Sequence, residues 1–324
     1  MSGHVIALCG GVGGAKLAFG LAQVLPPEDL TIVVNTGDDF VHLGLHVSPD
    51  IDTVAYTLAG LSDRQRGWGL AGETWNFMAS LRRLGGEDWF QLGDRDLAMH
   101  IERTRRLAAG ESLSRITATL TEALGIRHPV IPMSDQPVRT IVQTAEGELA
   151  FQRYFVGEQC RPVATGVRFE GAAAASPSPA FHAVLAREDL ATVIVCPSNP
   201  YLSVDPILAV PGVRAALEAL KAPMVAVSPI IGGRALKGPA AKLMAELGGA
   251  PGVLAVADHY RGLLDGLIID ASDAGEAAAL RRAGVEPLVT EAVMVSDEDR
   301  ARLAQETLAF CALFARAGQR RRAS

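Results

Sequence analysis

The chain has 324 residues, 49% of them apolar and only 5% aromatic, with a formal net charge of −6. That length suits one large α/β domain with insertions, or two lobes, around a core of Ala, Val, Leu and Ile. The acidic balance argues against non-specific nucleic-acid binding, and no run approaches the ~18 uninterrupted apolar residues of a transmembrane helix. The N-terminus also lacks the features of a secretory signal, so a cytoplasmic protein without membrane or nucleic-acid partners is expected.

The first strand-like run, His4–Cys9, breaks directly into Gly10-Gly-Val-Gly-Gly-Ala-Lys16. Glycines let a backbone pass close to a bulky anion, and the free N–H groups of a helix start favour negative charge. The spacing meets neither the dinucleotide pattern nor the P-loop. Even so, the glycines exceed what packing alone needs. Gly10, Gly11, Gly13 and Gly14, with Lys16 as a cation, are therefore expected to hold a phosphate or diphosphate.

Further strand-like runs follow at Leu30–Asn35, Val130–Met133, Ala191–Pro197, Pro223–Pro229, Gly266–Asp270 and Glu286–Thr290. Several are continuously apolar, as parallel strands covered on both faces are. Helical patterns occupy Ala15–Val24, Ile51–Leu61, Glu73–Leu84 and Leu97–Ala108, then Val204–Leu220, Gly238–Leu247, Ala274–Ala283 and Asp297–Ala317. Ser296 to Asp299 has capping-box spacing and opens the last of them. The alternation predicts a Rossmann-like, doubly wound, mostly parallel α/β core from residues 1–135 and 190–317.

More polar alternation over Val138–Thr144, Glu148–Gly157 and Val167–Glu170 predicts an antiparallel β insertion within 136–175. Its strand edges and its Phe151, Tyr154 and Phe155 would be poorly covered in a lone lobe, which suggests a homodimer. Residues 318–324 read as a disordered basic tail. Cys9, Cys160, Cys196 and Cys311 form no CxxC pair and read as buried thiols.

Polar clusters fall at the carboxyl ends of the strands, where open α/β sheets bind ligands. Asn35-Thr-Gly-Asp-Asp39 carries two adjacent carboxylates that cannot both be buried unpaired. They cap the next segment, hold a divalent ion, or contact a ribose. Asp50 and Asp52 open the next helix, where each could serve as a cap. With Asp38 and Asp39 they form a four-carboxylate candidate for Mg²⁺ bridging phosphates. Gly93-Asp-Arg-Asp96 offers the Arg95 guanidinium at a helix start. Ser198, Asn199 and Ser203 follow one strand. Gly232 and Gly233, with Lys237, form a second glycine loop after the next. His42 and His46 lie in a loop-like stretch that makes a metal pair doubtful. Trp68, Trp75 and Trp89 are read first as core, and second as a surface on which a flat tricycle could stack.

In this order the motifs at Gly10–Lys16, Asn35–Asp39, Ser48–Thr53, Gly67–Gly69 with Glu73-Thr74, Gly93–Asp96, Ser198–Pro200 and Ser228–Ile230 resemble the 2-phospho-L-lactate transferase (CofD) family, from the first strand to about residue 295. The resemblance implies transfer of a phospho-acid group (phospholactate, enolpyruvyl phosphate or phosphoglycerate) from a guanosine-diphospho-acid donor to the deazaflavin Fo. GMP leaves, and a precursor of coenzyme F-420 forms. It further implies Mg²⁺ at Asp38, Asp39, Asp50 and Asp52, with Asp38, Asp50 and Arg95 as the reacting-site groups. Trp68 and Asp94 would face the deazaflavin. The alternative is a nucleotide-sugar-binding regulator of the gluconeogenesis-factor type without turnover.

Overall fold

In the computed structural model, which describes residues 3–236 and 238–323, seven strands form one parallel sheet. They are β1 (His4–Cys9), β2 (Leu30–Val34), β3 (Val130–Pro132), β4 (Leu190–Val195), β5 (Met224–Val227), β6 (Gly266–Asp270) and β7 (Glu286–Thr290). Their spatial order is β7-β6-β5-β4-β1-β2-β3, with every neighbouring pair parallel. All seven coincide with the expected runs, because continuous Val, Ile and Leu stretches can be buried on both faces at once.

The two-residue period of β1 divides the core. Ile6 and Leu8 join a cluster with Phe181, Ile207 and Tyr260, whereas Val5, Ala7 and Cys9 join one with Leu17, Val54 and Phe310 on the opposite face. Burying each Val, Leu, Ile or Phe among them contributes about 1.5–3 kcal/mol. The second face is covered by α1 (Gly11–Val24), α2 (Pro49–Leu58) and the terminal helix, Asp297–Ala323. Gly20 lets that helix lie against α1, since a Cβ there would come within 2.1 Å of the Arg300 carbonyl oxygen. The terminal helix starts with the expected capping box: Ser296 Oγ accepts from the Asp299 N–H, and Asp299 Oδ2 accepts from the Ser296 N–H.

Between β2 and β3 lie a short hairpin (Phe40–His42 with Leu45–Val47), α3 (Asn76–Arg83), α4 (Asp96–Ala108) and α5 (Leu113–Ala123). No element was expected at α5; Ser112 starts it by accepting from the Arg115 N–H. The expected helix Val204–Leu220 is instead a π-turn at Pro200–Val204 followed by two short helices, Asp205–Ala209 and Val213–Glu218. Pro211 lacks a donor and Gly212 sits at φ 82°, so one continuous helix cannot form.

The insertion is antiparallel, with strands ordered Gly147–Ala150, Arg139–Thr144, Ala164–Glu170. The strand expected over Glu148–Gly157 ends at Ala150. Phe151 and Tyr154, three residues apart, bury together against Val142, Leu202 and Leu243, and that spacing requires a helical turn. The chain itself thus covers two of the three residues that suggested a homodimer; Phe155 stays 37% exposed and stacks on Phe151. Residues 318–323, expected as a disordered tail, continue the terminal helix to Ala323, as Gln, Arg and Ala favour. Lys237 and Ser324 lie outside the described residues.

Candidate active site

The order of strands reverses between β1 and β4, and the crevice beyond their carboxyl ends is where such sheets bind ligands. Gly10 to Gly14 fill this crevice from β1, and Pro197 to Ser203 enter it from β4. The two segments interlock closely. A Cβ on Gly13 would lie 2.3 Å from the Pro197 carbonyl oxygen, one on Gly14 2.5 Å from Ser198 Oγ, and one on Gly10 2.3 Å from Asp50 Oδ2. Gly11 has open space but sits at φ 64°, in the left-handed region. Packing and backbone conformation therefore account for all four glycines. The expectation that they exceed packing needs is corrected on this point.

Two of the first-turn donors of α1 are already engaged. Ser198 Oγ accepts from the Gly10 N–H at 3.1 Å and donates to the Gly10 carbonyl, and Asp50 Oδ1 accepts from the Gly11 N–H at 2.7 Å. Helix geometry leaves the N–H groups of Val12 and Gly13 as the first-turn donors for an anion.

Asn35, fully buried just past β2, is the hub of the crevice. Its amide nitrogen donates to Asp38 Oδ1 at 3.1 Å, to Asp50 Oδ2 at 2.9 Å and to the Leu202 carbonyl at 3.2 Å. Its amide oxygen accepts from the Gly37 N–H at 2.8 Å, which fixes the way the amide faces. One side chain thus hangs two carboxylates together beside the glycine turn. Burial raises the Asp50 carboxyl to about 6, against the bonds from Asn35 and Gly11. Burial, then the charge of Asp50, raises Asp38 well above the usual carboxylate range. A pair so placed attracts a cation.

The other two carboxylates face different partners. Asp39 Oδ2 accepts from Ser48 Oγ at 2.8 Å and lies 3.1 Å from His46 Nε2, and its buried Oδ1 has no hydrogen-bond partner. Both oxygens of Asp52 accept from the buried Arg103 of α4. Among the described residues, no group of three or more His, Cys, Asp or Glu is arranged to hold a metal. Of the four expected ligands, Asp38 and Asp50 share the Asn35 amide, Asp39 lies close enough for its charge to act on both, and Asp52 is turned to Arg103.

Asp94 and Arg95 lie on a separate segment with a capping role. Asp94 Oδ1 accepts from the Phe77 N–H and Oδ2 from Asn76 and Thr74, which closes the start of α3. These bonds pull its carboxyl down to about 2. Glu73 reciprocates at α4, accepting from the Arg95 and Asp96 N–H groups at 2.7 and 3.1 Å. Gly93 carries no side chain because Glu73 lies within 2.1 Å of where its Cβ would be. The Arg95 guanidinium is exposed and donates to the Ala71 carbonyl at 3.0 Å.

Trp75 is half-buried against the Val47, Met78, Leu92 and Leu97 cluster, and Trp89 packs on Phe40, His42 and Phe90, whereas Trp68 is not core. Trp68 is 44% exposed, meets Trp75 edge to face, and has the Arg66 guanidinium 5.1 Å above its ring. It lines a cleft with Val12, Lys16, Thr53, Tyr56 and Arg300. Lys16 Nζ donates to the Met294 carbonyl at 2.8 Å and belongs to that cleft wall. Asn199 turns the chain after β4 by accepting from the Tyr201 and Leu202 N–H groups, and Ser203 abuts Gly10. Gly232 and Gly233 lie in a hairpin after β5, where the Gly232 N–H donates to Asp273.

Sequence reasoning left Asn35 and Glu73 without a role and did not single out Arg103. For Asn35 the signal was available, a buried-type amide between an apolar strand and two carboxylates. Glu73 caps α4 and Arg103 grips Asp52 across long stretches of sequence.

A family profile described as 2-phospho-L-lactate transferase CofD matches residues 5–309. A 2-phospho-L-lactate transferase from Methanosarcina mazei is 38% identical over 301 residues, covering 93% of this chain and 98% of that protein. A phosphoenolpyruvate transferase from Kitasatospora aureofaciens is 40% identical over 313 residues, covering 94% and 97%. A crystal structure of a UPF0052-family protein from Bacillus halodurans superimposes with a TM-score of 0.62 at 16% identity, over 95% of this chain and 99% of that one, a likeness of fold.

Proposed function

The chain belongs to the 2-phospho-L-lactate transferase CofD family, and on that basis we propose that it moves a phospho-acid group from a guanosine-diphospho-acid donor to the terminal hydroxyl of the deazaflavin Fo, releasing GMP. It is an enzyme of a transferase family. Relatives named for phospholactate and for phosphoenolpyruvate support a three-carbon phospho-acid donor. The observation that carries the reading is the Asp38–Asp50 pair, hung on Asn35 beside the first turn of α1 at the strand-order reversal.

In this reading the diphosphate lies at the N–H groups of Val12 and Gly13, with the Gly232–Gly233 hairpin and Asn199 toward the guanosine. The acceptor ring lies on Trp68, and its hydroxyl points to the carboxylates. Asp38 and Asp50 fit Mg²⁺, which usually takes one or two carboxylates and completes its shell with water and substrate phosphates. Bound there, Mg²⁺ would neutralise charge on the transferring phosphoryl group. Asn35 keeps both carboxylates aimed at the crevice, and whichever one is unprotonated can accept the proton of the attacking hydroxyl. The new P–O bond forms on the phosphorus nearer the acid as the bond to GMP breaks. Arg95 would balance charge on the acceptor side. Assembly as a homodimer and residence in the cytoplasm remain part of the proposal.

The test is to incubate the purified protein with Fo, donor and Mg²⁺ and to follow GMP and phosphorylated deazaflavin by chromatography. Equal amounts of both are expected. No GMP with either donor would overturn the assignment and favour a binding protein without turnover.

A further inference from the structure

Asp50 and Asp52 share the first turn of α2, yet they have opposite surroundings. Asp50 faces the crevice. Asp52 faces α4, where both its oxygens accept from the Arg103 guanidinium, whose side chain is 1% exposed. Arg103 also donates to the His46 carbonyl at 3.4 Å, at the end of the hairpin that leads into α2. On the same helix, Asp96 accepts from the Tyr56 hydroxyl of α2, and His100 Nδ1 lies 3.6 Å from Asp52. The His46 ring reaches back to Asp39, the neighbour of Asp38. From one buried guanidinium, fixed contacts thus run to the segments that carry both crevice carboxylates.

A buried ion pair of this kind adds little net stability compared with an apolar pair of the same shape. Its planar two-point geometry is what an apolar pair could not supply. We propose that Arg103 is a positioning residue for the transfer reaction: by gripping Asp52 and the His46 carbonyl it sets the first turn of α2, and so the placement of Asp50 relative to Asp38. This rests on the reading of those two carboxylates as the reaction site.

The test compares Arg103→Met and Arg103→Lys with wild type, beside Asp50→Asn as the control for the site itself. The double variant Asp52→Asn with Arg103→Met leaves no unpaired buried charge and keeps the experiment decisive if the single change fails to fold. Three quantities are read: Mn²⁺ affinity by paramagnetic resonance without substrates, kcat and KM for each substrate, and the melting temperature. Mn²⁺ affinity and kcat should fall about 10- to 100-fold in Arg103→Met and in the double variant, the usual effect of disturbing a group that orients a ligand. KM for the donor should change far less, and Arg103→Lys should recover only part of the loss. A folded variant with a lowered melting temperature but wild-type Mn²⁺ affinity and kcat would show that Arg103 is structural only, and would overturn the proposal. Full activity in Asp50→Asn would instead refute the site reading.

Discussion

At the residue scale, the site is built by placing like charges together. Asp38 and Asp50 are buried side by side, and Asn35 supplies donors without a compensating charge. A carboxyl whose folded value lies above its unfolded one holds its proton in the folded state first, so stability falls as pH rises between the two. For Asp50 that window runs from the ordinary 3.8 to about 6. The metal-free protein should therefore melt at a higher temperature near pH 5 than at pH 7, and added Mg²⁺ should reverse part of the loss at pH 7. Calorimetry across that range checks it, and a flat profile would contradict the burial of charge. Asp38→Asn should lower the transfer rate by about 100-fold or more, since it removes a charged contact to the transition state. The same change should raise the metal-free melting temperature by about 2 °C, the shift of about 1 kcal/mol in a chain of this size. A rate near wild type would remove Asp38 from the reacting groups.

At the element scale, α3 and α4 cap each other across the stretch that separates them. Glu73, just before α3, closes the start of α4, and Asp94, just before α4, closes the start of α3. This exchange ties the segment before α3, which carries Trp68, to the segment before α4, which carries Arg95. Glu73→Ala should cost about 1 kcal/mol, the usual value of a lost N-cap, as a shift of the urea midpoint. Asp94 contributes in the direction opposite to Asp50. Its carboxyl is depressed to about 2, so its contribution is present above pH 4 and fades as pH falls toward that value. Trp68→Ala, by removing a half-exposed ring rather than a core one, should weaken Fo binding about 5- to 100-fold with little change in folding stability. Fo fluorescence titration checks this, and unchanged affinity in a folded variant would place the ring elsewhere.

At the scale of the whole molecule, close backbone approaches hold the layers in register. Gly20→Ala would push its methyl against the Arg300 carbonyl, which belongs to a helix backbone and cannot swing aside. A loss of about 3 kcal/mol or more is expected in urea unfolding, above the ordinary range for overpacking. Gly13→Ala should separate α1 from the turn after β4 and weaken GDP binding more than Fo binding, as calorimetry with each ligand would show.

The strands of the sheet and their parallel type were legible in the sequence, because a doubly covered strand must be apolar along its whole length and the interleaved helices must be amphipathic. The family was legible because seven short motifs keep their order. The break at Pro211-Gly212 and the start of α5 at Ser112 carried local signals too. Tertiary structure alone decided the partners of the charges. The sequence offered four carboxylates as one group; the fold gave Asp38 and Asp50 to Asn35, Asp39 to Ser48 and His46, and Asp52 to Arg103. It likewise turned Phe151 and Tyr154 inward and left Trp68 at the surface. Periodicity along a chain reports which face of an element is buried. Which charge meets which depends on segments tens of residues apart arriving at the same place, and only the packed molecule brings them there.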